Sequence, residues 1–222
     1  MSEKPTVVLD VDGTLVDTNY QHAIAWHRAF RKHDYRVAIW EIHRHIGMGG
    51  DQLIEALIGE EAAEADGEAL DEAHADAFSE LIDEAEAMEG ASELIAELDD
   101  AGATVILASS AQKDELEHYV ELLGAGERIA GATSSADAEQ TKPDPELVQT
   151  ALDKYGSGGP ALMVGDSTWD VKAAKAAGIP TLALLTGGFS ESELREAGAV
   201  DVVESIAVLR EGSVAAILDL AG

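Results

Sequence analysis

The segment Asp10-Val11-Asp12-Gly13-Thr14-Leu15 places two carboxylates at i and i+2 directly after the apolar run Thr6 to Leu9. Side chains two apart on an extended chain point the same way, so both acids face one site. No cation stands beside them, and two such acids repel. A hard divalent ion, Mg²⁺ above all, relieves that repulsion. Alone, the pair also reads as a strand end closed by an Asx turn. A second acidic segment, Gly165-Asp166-Ser167-Thr168-Trp169-Asp170, follows another apolar run. Asp166 there completes a carboxylate metal site with Asp10, and Asp170, one turn later, serves as ligand or supporting acceptor. Asp166 equally suits the N-cap of a following helix.

Two further segments offer groups that hold a phosphate. Ser109 and Ser110 follow the run Thr104 to Ala108 and supply hydroxyls and backbone N–H groups. Lys142 lies in Thr141-Lys142-Pro143-Asp144-Pro145, where Pro143 biases it toward extended backbone. In a chain with only 14 Lys and Arg, a lysine in a rigid turn before a helix is a candidate anion ligand. Taken singly, the serines also read as helix caps and the lysine as a surface residue.

These segments need a scaffold that gathers strand ends. Thr6 to Leu9, Thr104 to Ala108, Ala161 to Val164, Thr181 to Leu185 and Val200 to Val203 have strand character. Helical stretches over Asp114 to Leu123, Pro145 to Tyr155 and Trp169 to Ala177 separate the later runs. The alternation predicts an α/β fold, a Rossmann-like parallel sheet with helices on both faces. Ligands of such sheets bind at the carboxyl edge, where Asp10, Ser109 and Asp166 fall.

Residues 18–88 break the alternation. Tyr20, Ile24, His27, Phe30 and Arg31 share one helical face; Leu53, Ile54, Leu57 and Ile58 form a second; Leu70, His74, Ala77, Phe78, Leu81 and Met88 form a third. The pattern predicts an α/β core over 1–17 and 89–222, with an all-helical domain inserted over 18–88. From His45 to Gln112 there is no Lys or Arg against 19 Asp and Glu. Any cation the insert offers a substrate therefore comes from Arg28, Arg31, Lys32, Arg36 or Arg44, or from a histidine.

Together the four segments resemble the haloacid dehalogenase-like superfamily. Its pattern is Asp-x-Asp-Gly-Thr, then Ser or Thr after the second strand, then Lys, then Gly-Asp with a further Asp. Here these are Asp10 to Thr14, Ser109, Lys142, and Gly165 to Asp170. The likeness spans essentially the whole chain, and the helical insert resembles that superfamily's cap domain. Val16-Asp17-Thr18 extends it toward the phosphoglycolate phosphatase and β-phosphoglucomutase branch.

The resemblance implies a phosphatase acting on a small phosphorylated metabolite through an aspartyl-phosphate. Asp10 would be the nucleophile and Asp12 the general acid and base. Asp10, Asp166 and the backbone carbonyl of Asp12 would hold Mg²⁺, with Asp170 in support. Ser109, its neighbouring N–H groups including those at Ser110, and Lys142 would hold the transferring oxygens, and Thr14 would tie the turn near Asp10. Dehalogenases of this superfamily lack the second aspartate, so its presence as Asp12 implies phosphate. The insert has no lysine between Arg36 and Gly90, which disfavours Schiff-base phosphonate cleavage.

The runner-up is a phosphosugar mutase. His22 falls where the mutase has a cap histidine. The aligned loop Gly47-Met48-Gly49-Gly50-Asp51, however, carries glycine where the mutase grips a second phosphate with arginine. Gly49 and Gly50 then read as a close approach of cap to core, or as a simple turn, and His22 as a substrate contact or an interdomain histidine. A non-catalytic binding protein on the same fold would be expected to lose Asp10, Asp12 or the metal acids, and this chain keeps them.

Composition excludes several other classes. The 222 residues are 46% hydrophobic, enough for a sizeable core. Zero Cys removes disulfides and thiolate chemistry. No run of 18 apolar residues spans a membrane. Met1-Ser2-Glu3-Lys4-Pro5 lacks the signal-peptide pattern, so a cytoplasmic protein is expected. Asp and Glu number 44, for a formal net charge of −30. Nucleic acid and anionic membranes are poor partners for such a surface. Nothing in the sequence fixes an oligomeric state.

The acids are spread along the chain, a pattern that resembles halophilic proteins of salt-loving archaea more than an ordinary acidic cytoplasmic protein. Self-repulsion at this density destabilises the compact state, and about 1 M salt shrinks the Debye length to roughly 3 Å. Raising KCl from dilute buffer to molar levels should therefore raise Tm. A midpoint that stays flat or falls would show that repulsion does not control stability.

Overall fold

Val7, Val8 and Leu9 are all fully buried, as strand residues covered on both faces must be. They form β1 (Thr6–Leu9) in a computed structural model that describes residues 4–221. Residues 1–3, part of the stretch read as lacking a signal pattern, and residue 222 lie outside the described residues, so the outer limits of the expected core do too.

A two-residue strand β2 (Val16–Asp17) leads into four helices: α1 (Asn19–Lys32), α2 (Ile39–His43), α3 (Gly50–Ile58) and α4 (Glu60–Ser79). The chain returns through β3 (Glu86–Ala87), antiparallel to β2. Then follow α5 (Ala91–Asp100), β4 (Thr104–Ala108), α6 (Lys113–Leu123), β5 (Gly131–Thr133) and α7 (Glu146–Tyr155). The last elements are β6 (Ala161–Gly165), α8 (Thr168–Ala176), β7 (Thr181–Leu184), α9 (Glu191–Ala197), β8 (Asp201–Val203), α10 (Ile206–Glu211) and α11 (Val214–Asp219).

Six strands form one parallel sheet in the order β5-β4-β1-β6-β7-β8, as the alternation predicts. Leu9 pairs with Leu107 on one side and Val164 on the other. The carboxyl ends of β4, β1 and β6 therefore finish side by side, with β1 at the point where strand order reverses, the place such sheets bind ligands. Side chains alternate between the faces. Val7, Leu9, Val105, Leu107, Leu162 and Val164 pack with α5 and α6 residues such as Leu94 and Tyr119. Val8, Ile106 and Met163 face the α7 and α8 side.

The helical insert has its own apolar cluster, built on Trp26, Phe30, Ile42, Leu53, Ile54 and Leu70. One expectation fails there. The buried face of α1 is Asn19, His22, Ala23, Trp26, Ala29 and Phe30, whereas Tyr20 is 63% exposed and Ile24 37% exposed. The large residues suggested a stripe, but small alanines let α1 lie against α4, and the stripe turns accordingly. β2, β3, β5 and α2 are two to five residues long, too short to leave a periodic signal. Among the described residues no helix is long and apolar enough to cross a membrane.

Candidate active site

Asp10 follows the last residue of β1, and its backbone N–H donates to the Val164 carbonyl of β6 at 2.9 Å. Asp166 follows β6 directly, and the pairing of Leu9 with Val164 sets it one residue beyond the level of Asp10. Asp170 comes to them from the first turn of α8, where its backbone N–H and carboxylate form a capping box with Ser167. One carboxylate oxygen from each of Asp10, Asp166 and Asp170 lies within 4.8 Å of the others, and all three side chains are buried.

The one ammonium among them is Lys142, only 1% exposed. Its Nζ donates to Asp10 Oδ1 and lies 2.9 Å from Asp170 Oδ1. Thr14 Oγ1 sits 3.2 Å from Asp10 Oδ2 and 3.1 Å from Asp166 Oδ1, its single proton shared between them. Asn19 Nδ2 donates to Asp166 Oδ2 at 2.9 Å. Gly13 turns at φ +77°, and a Cβ there would strike Asn19 and the Asp166 carboxylate, so glycine keeps that side of the cluster open.

The charges do not balance. Burial, reinforced by Asp170, pushes Asp166 up to about 7. Burial and the neighbouring acids likewise raise Asp10 well above the usual carboxylate range, despite Lys142. Burial opposes the charge on Lys142, but Asp10 and Asp170 outweigh it and raise the ammonium. Three hard oxygen donors around one lysine suit a divalent cation of the Mg²⁺ kind. Mg²⁺ is the cofactor the resemblance implies, and these residues fit it.

Asp12 turns elsewhere. Its Oδ1 accepts from Thr18 Oγ1 at 2.7 Å and from His22 Nε2 at 3.1 Å, and its Oδ2 accepts from Ser109 Oγ at 3.2 Å. Burial opposes its ionisation, yet His22, with Thr18 and Ser109, holds it down at about 2. Asp12 in turn raises His22 against the effect of burial. Burial, and then His22, push His74 well below its ordinary value. His22 Nδ1 lies 3.2 Å from His74 Nε2. His74 stacks on Trp26 with ring centroids 4.1 Å apart.

Asp10, Asp12, Lys142, Ser110, His22 and Gly50 all line one cavity of about 240 Å³ between the insert and the sheet edge. Ser109 is wholly buried beside it, and its Oγ also accepts from the Ala111 backbone N–H at 2.9 Å. The Ser110 hydroxyl has no partner among the described residues. Gly49 packs on the Thr141 side chain so closely that a Cβ would overlap it. The insert is latched there by Asp51, which accepts from the Thr141 hydroxyl and lies 3.4 Å from its backbone N–H.

Thus the Asp10, Asp166, Asp170 and Lys142 expectations meet in one cluster, with the Asp12 carboxylate outside it but on the same cavity. Thr18, Asn19, His74, Thr141 and Glu115 were not picked out from the sequence. Polar Asn19 and His22, three apart on one face of α1, were the available signal.

In the unfolded chain Asp166 releases its proton near 3.8, and in the folded one near 7. The folded state therefore holds an extra proton between those values. The stability this group contributes is full at low pH and is lost as pH rises through about 7. With a chelator present, the wild type should lose Tm relative to Asp166→Asn as pH rises across that window. A difference that ignores pH would contradict the excess of buried negative charge.

A sequence profile of haloacid dehalogenase-like hydrolases matches residues 4–178. A phosphoglycolate phosphatase of Mesorhizobium japonicum is 29% identical over 87% of each chain. The pyrophosphatase PpaX of Bacillus velezensis is 30% identical over 79% of this chain and 80% of its own. The crystal structure of a hydrolase from Pseudomonas syringae superimposes with a TM-score of 0.88 at 31% identity, covering 99% of this chain and 100% of the other.

Proposed function

The chain belongs to the haloacid dehalogenase-like hydrolase family, and we propose that it hydrolyses a small phosphate monoester through an aspartyl-phosphate on Asp10. The observation that carries this reading is the pair of acids on one cavity, Asp10 bound to Lys142 and Asp12 bound to His22.

In this reading Asp10 attacks phosphorus in line with the departing alkoxide. The P–O bond to the leaving group breaks as the bond to the Asp10 oxygen forms. Asp12 passes a proton to the leaving oxygen, drawing it from His22, whose Nε2 lies 3.1 Å from its Oδ1. Water then attacks phosphorus, the P–O bond to Asp10 breaks to release inorganic phosphate and the free carboxylate, and Asp12 takes the proton from the water. Lys142, the Ser110 hydroxyl and the backbone N–H groups after β4 hold the transferring oxygens, while Ser109 orients Asp12 and Thr14 spaces Asp10 from Asp166. Asp10, Asp166 and the Asp12 carbonyl would hold Mg²⁺, supported by Asp170. The ion supplies charge neutralisation between an anionic nucleophile and an anionic phosphate.

Residues 18–88 act as the cap over a core of 1–17 and 89–222, joined to it through the β2–β3 ribbon. The charge pattern further supports a protein that works in concentrated salt. Isomerisation is disfavoured, because a second phosphate needs its own cation. Among the described residues, Lys142 is the one Lys or Arg that lines the cavity.

Asp10→Asn should abolish turnover of every ester. Asp12→Asn keeps nucleophile and backbone carbonyl but loses the proton donor, an effect typically worth about 10²–10⁴-fold. In single-turnover kinetics an alkyl phosphate should lose far more rate than nitrophenyl phosphate, whose leaving oxygen departs as an anion. Equal slowing of phosphoenzyme formation for both would remove Asp12 from the acid role.

A further inference from the structure

The cavity beyond the phosphate groups is lined by acids without counter-charges. Besides Asp10 and Asp12, its walls carry Asp51, Asp71, Glu115 and Glu139, against the single ammonium of Lys142. Lys142 is already committed to Asp10 and Asp170, and His22 to Asp12. Among the described residues the insert sends no Lys or Arg into the cavity. Arg28 pairs with Glu80, Lys32 with Asp76 and Arg44 with Glu193, while Arg31 and Arg36 are not among the lining residues.

Glu115 is the most telling of the acids. It sits on α6, is 8% exposed, and receives one backbone N–H, from Gln112 at 3.3 Å. Burial, with only partial relief from His22, pushes it up to about 7. A buried carboxylate without a paired cation is costly, and the proposed phosphoryl chemistry gives this one no task. Asp71, from α4, reaches toward the same wall, with Gln112 Nε2 3.5 Å from its Oδ2. Trp26, 4% exposed, lines the cavity beside them, one face of its ring covered by the stacked His74.

We propose that the organic part of the substrate carries a protonated amine, received by Glu115 and Asp71 against Trp26, so that the enzyme selects aminoalkyl or amino-sugar phosphates over esters bearing a carboxylate. This deepens the phosphomonoesterase reading and rests on it. The bound ammonium supplies the counter-charge that Glu115 lacks. A carboxylate in the same place would add a further buried negative charge and be rejected.

The test uses two matched sets of esters with the full chain and Mg²⁺. One is glucosamine 6-phosphate, glucose 6-phosphate and 6-phosphogluconate. The other is 2-aminoethyl phosphate, 2-hydroxyethyl phosphate and phosphoglycolate. In whichever set is turned over, kcat/KM for the amine should exceed the neutral ester by about tenfold or more, the scale of one hydrogen bond to a charged group. The carboxylate ester should fall below the neutral one.

Glu115→Gln, which keeps the shape and removes the charge, should bring the amine-to-neutral ratio close to one, and Asp71→Asn should lower it. A ratio taken within one protein does not depend on the folded fraction. Amine esters no better than neutral ones, a preference for phosphoglycolate, or a ratio unmoved by Glu115→Gln would each overturn the proposal. If nitrophenyl phosphate and all six esters are inert, the phosphatase reading falls instead. The charge preference is then read from calorimetric binding of the same esters, with the same order expected and the reverse order fatal.

Discussion

Three buried carboxylates share one lysine, and the rest of the site is arranged around that imbalance. With Asp10, Asp166 and Asp170 ionised within 4.8 Å of one another, there are three close repulsions and two close attractions to Lys142. Each unit-charge pair at about 4 Å is worth on the order of 4 kcal/mol at an effective dielectric of 20, so the protein alone leaves a deficit of positive charge. Parallel register imposes the problem, because β1 and β6 lie side by side and end within one residue of each other. Thr14 and Asn19 soften it with donated protons. Gly13 and Gly187 leave the space beside Asp166 that a Cβ would fill.

The insert completes what the sheet edge begins. His22 reaches from α1 to hold the Asp12 carboxylate, and His74 from α4 takes the other ring nitrogen. The chemistry of Asp12 therefore depends on the insert lying over the core. Gly49 and Gly50 make that approach close, and Asp51 fastens it to the residue next to Lys142. In the proposed reading, a cation-poor insert leaves the phosphate to the core and the remaining acids to the rest of the substrate.

Much of this was legible in the sequence, for a physical reason. Strand ends that bear acids follow unbroken apolar runs, and buried parallel strands must be apolar on both faces. Asp10, Asp166 and the sheet itself therefore announced themselves. Lys142 stood out because cations are scarce. The division of labour between the first two acids was less legible. Asp-x-Asp spacing sends both side chains one way, yet Asp12 is drawn aside by Thr18, His22 and Ser109, partners 6, 10 and 97 residues distant. The buried face of α1 was misread because alanines carry little hydrophobic signal while permitting close helix packing. Glu115 and Asp71 were invisible as site residues, since an acid on a helix in so acidic a chain reads as solvated surface.

The most direct test of the charge imbalance is calorimetric titration of the chelated protein with Mg²⁺ near pH 7, in buffers of different ionisation enthalpy. Metal binding displaces protons from carboxylates that burial has forced to keep them. One Mg²⁺ per chain with net proton release, the release diminishing as pH rises, is the expected result. No binding, or binding at pH 7 without proton exchange, would show that the cluster does not carry the excess buried charge on which the site is built.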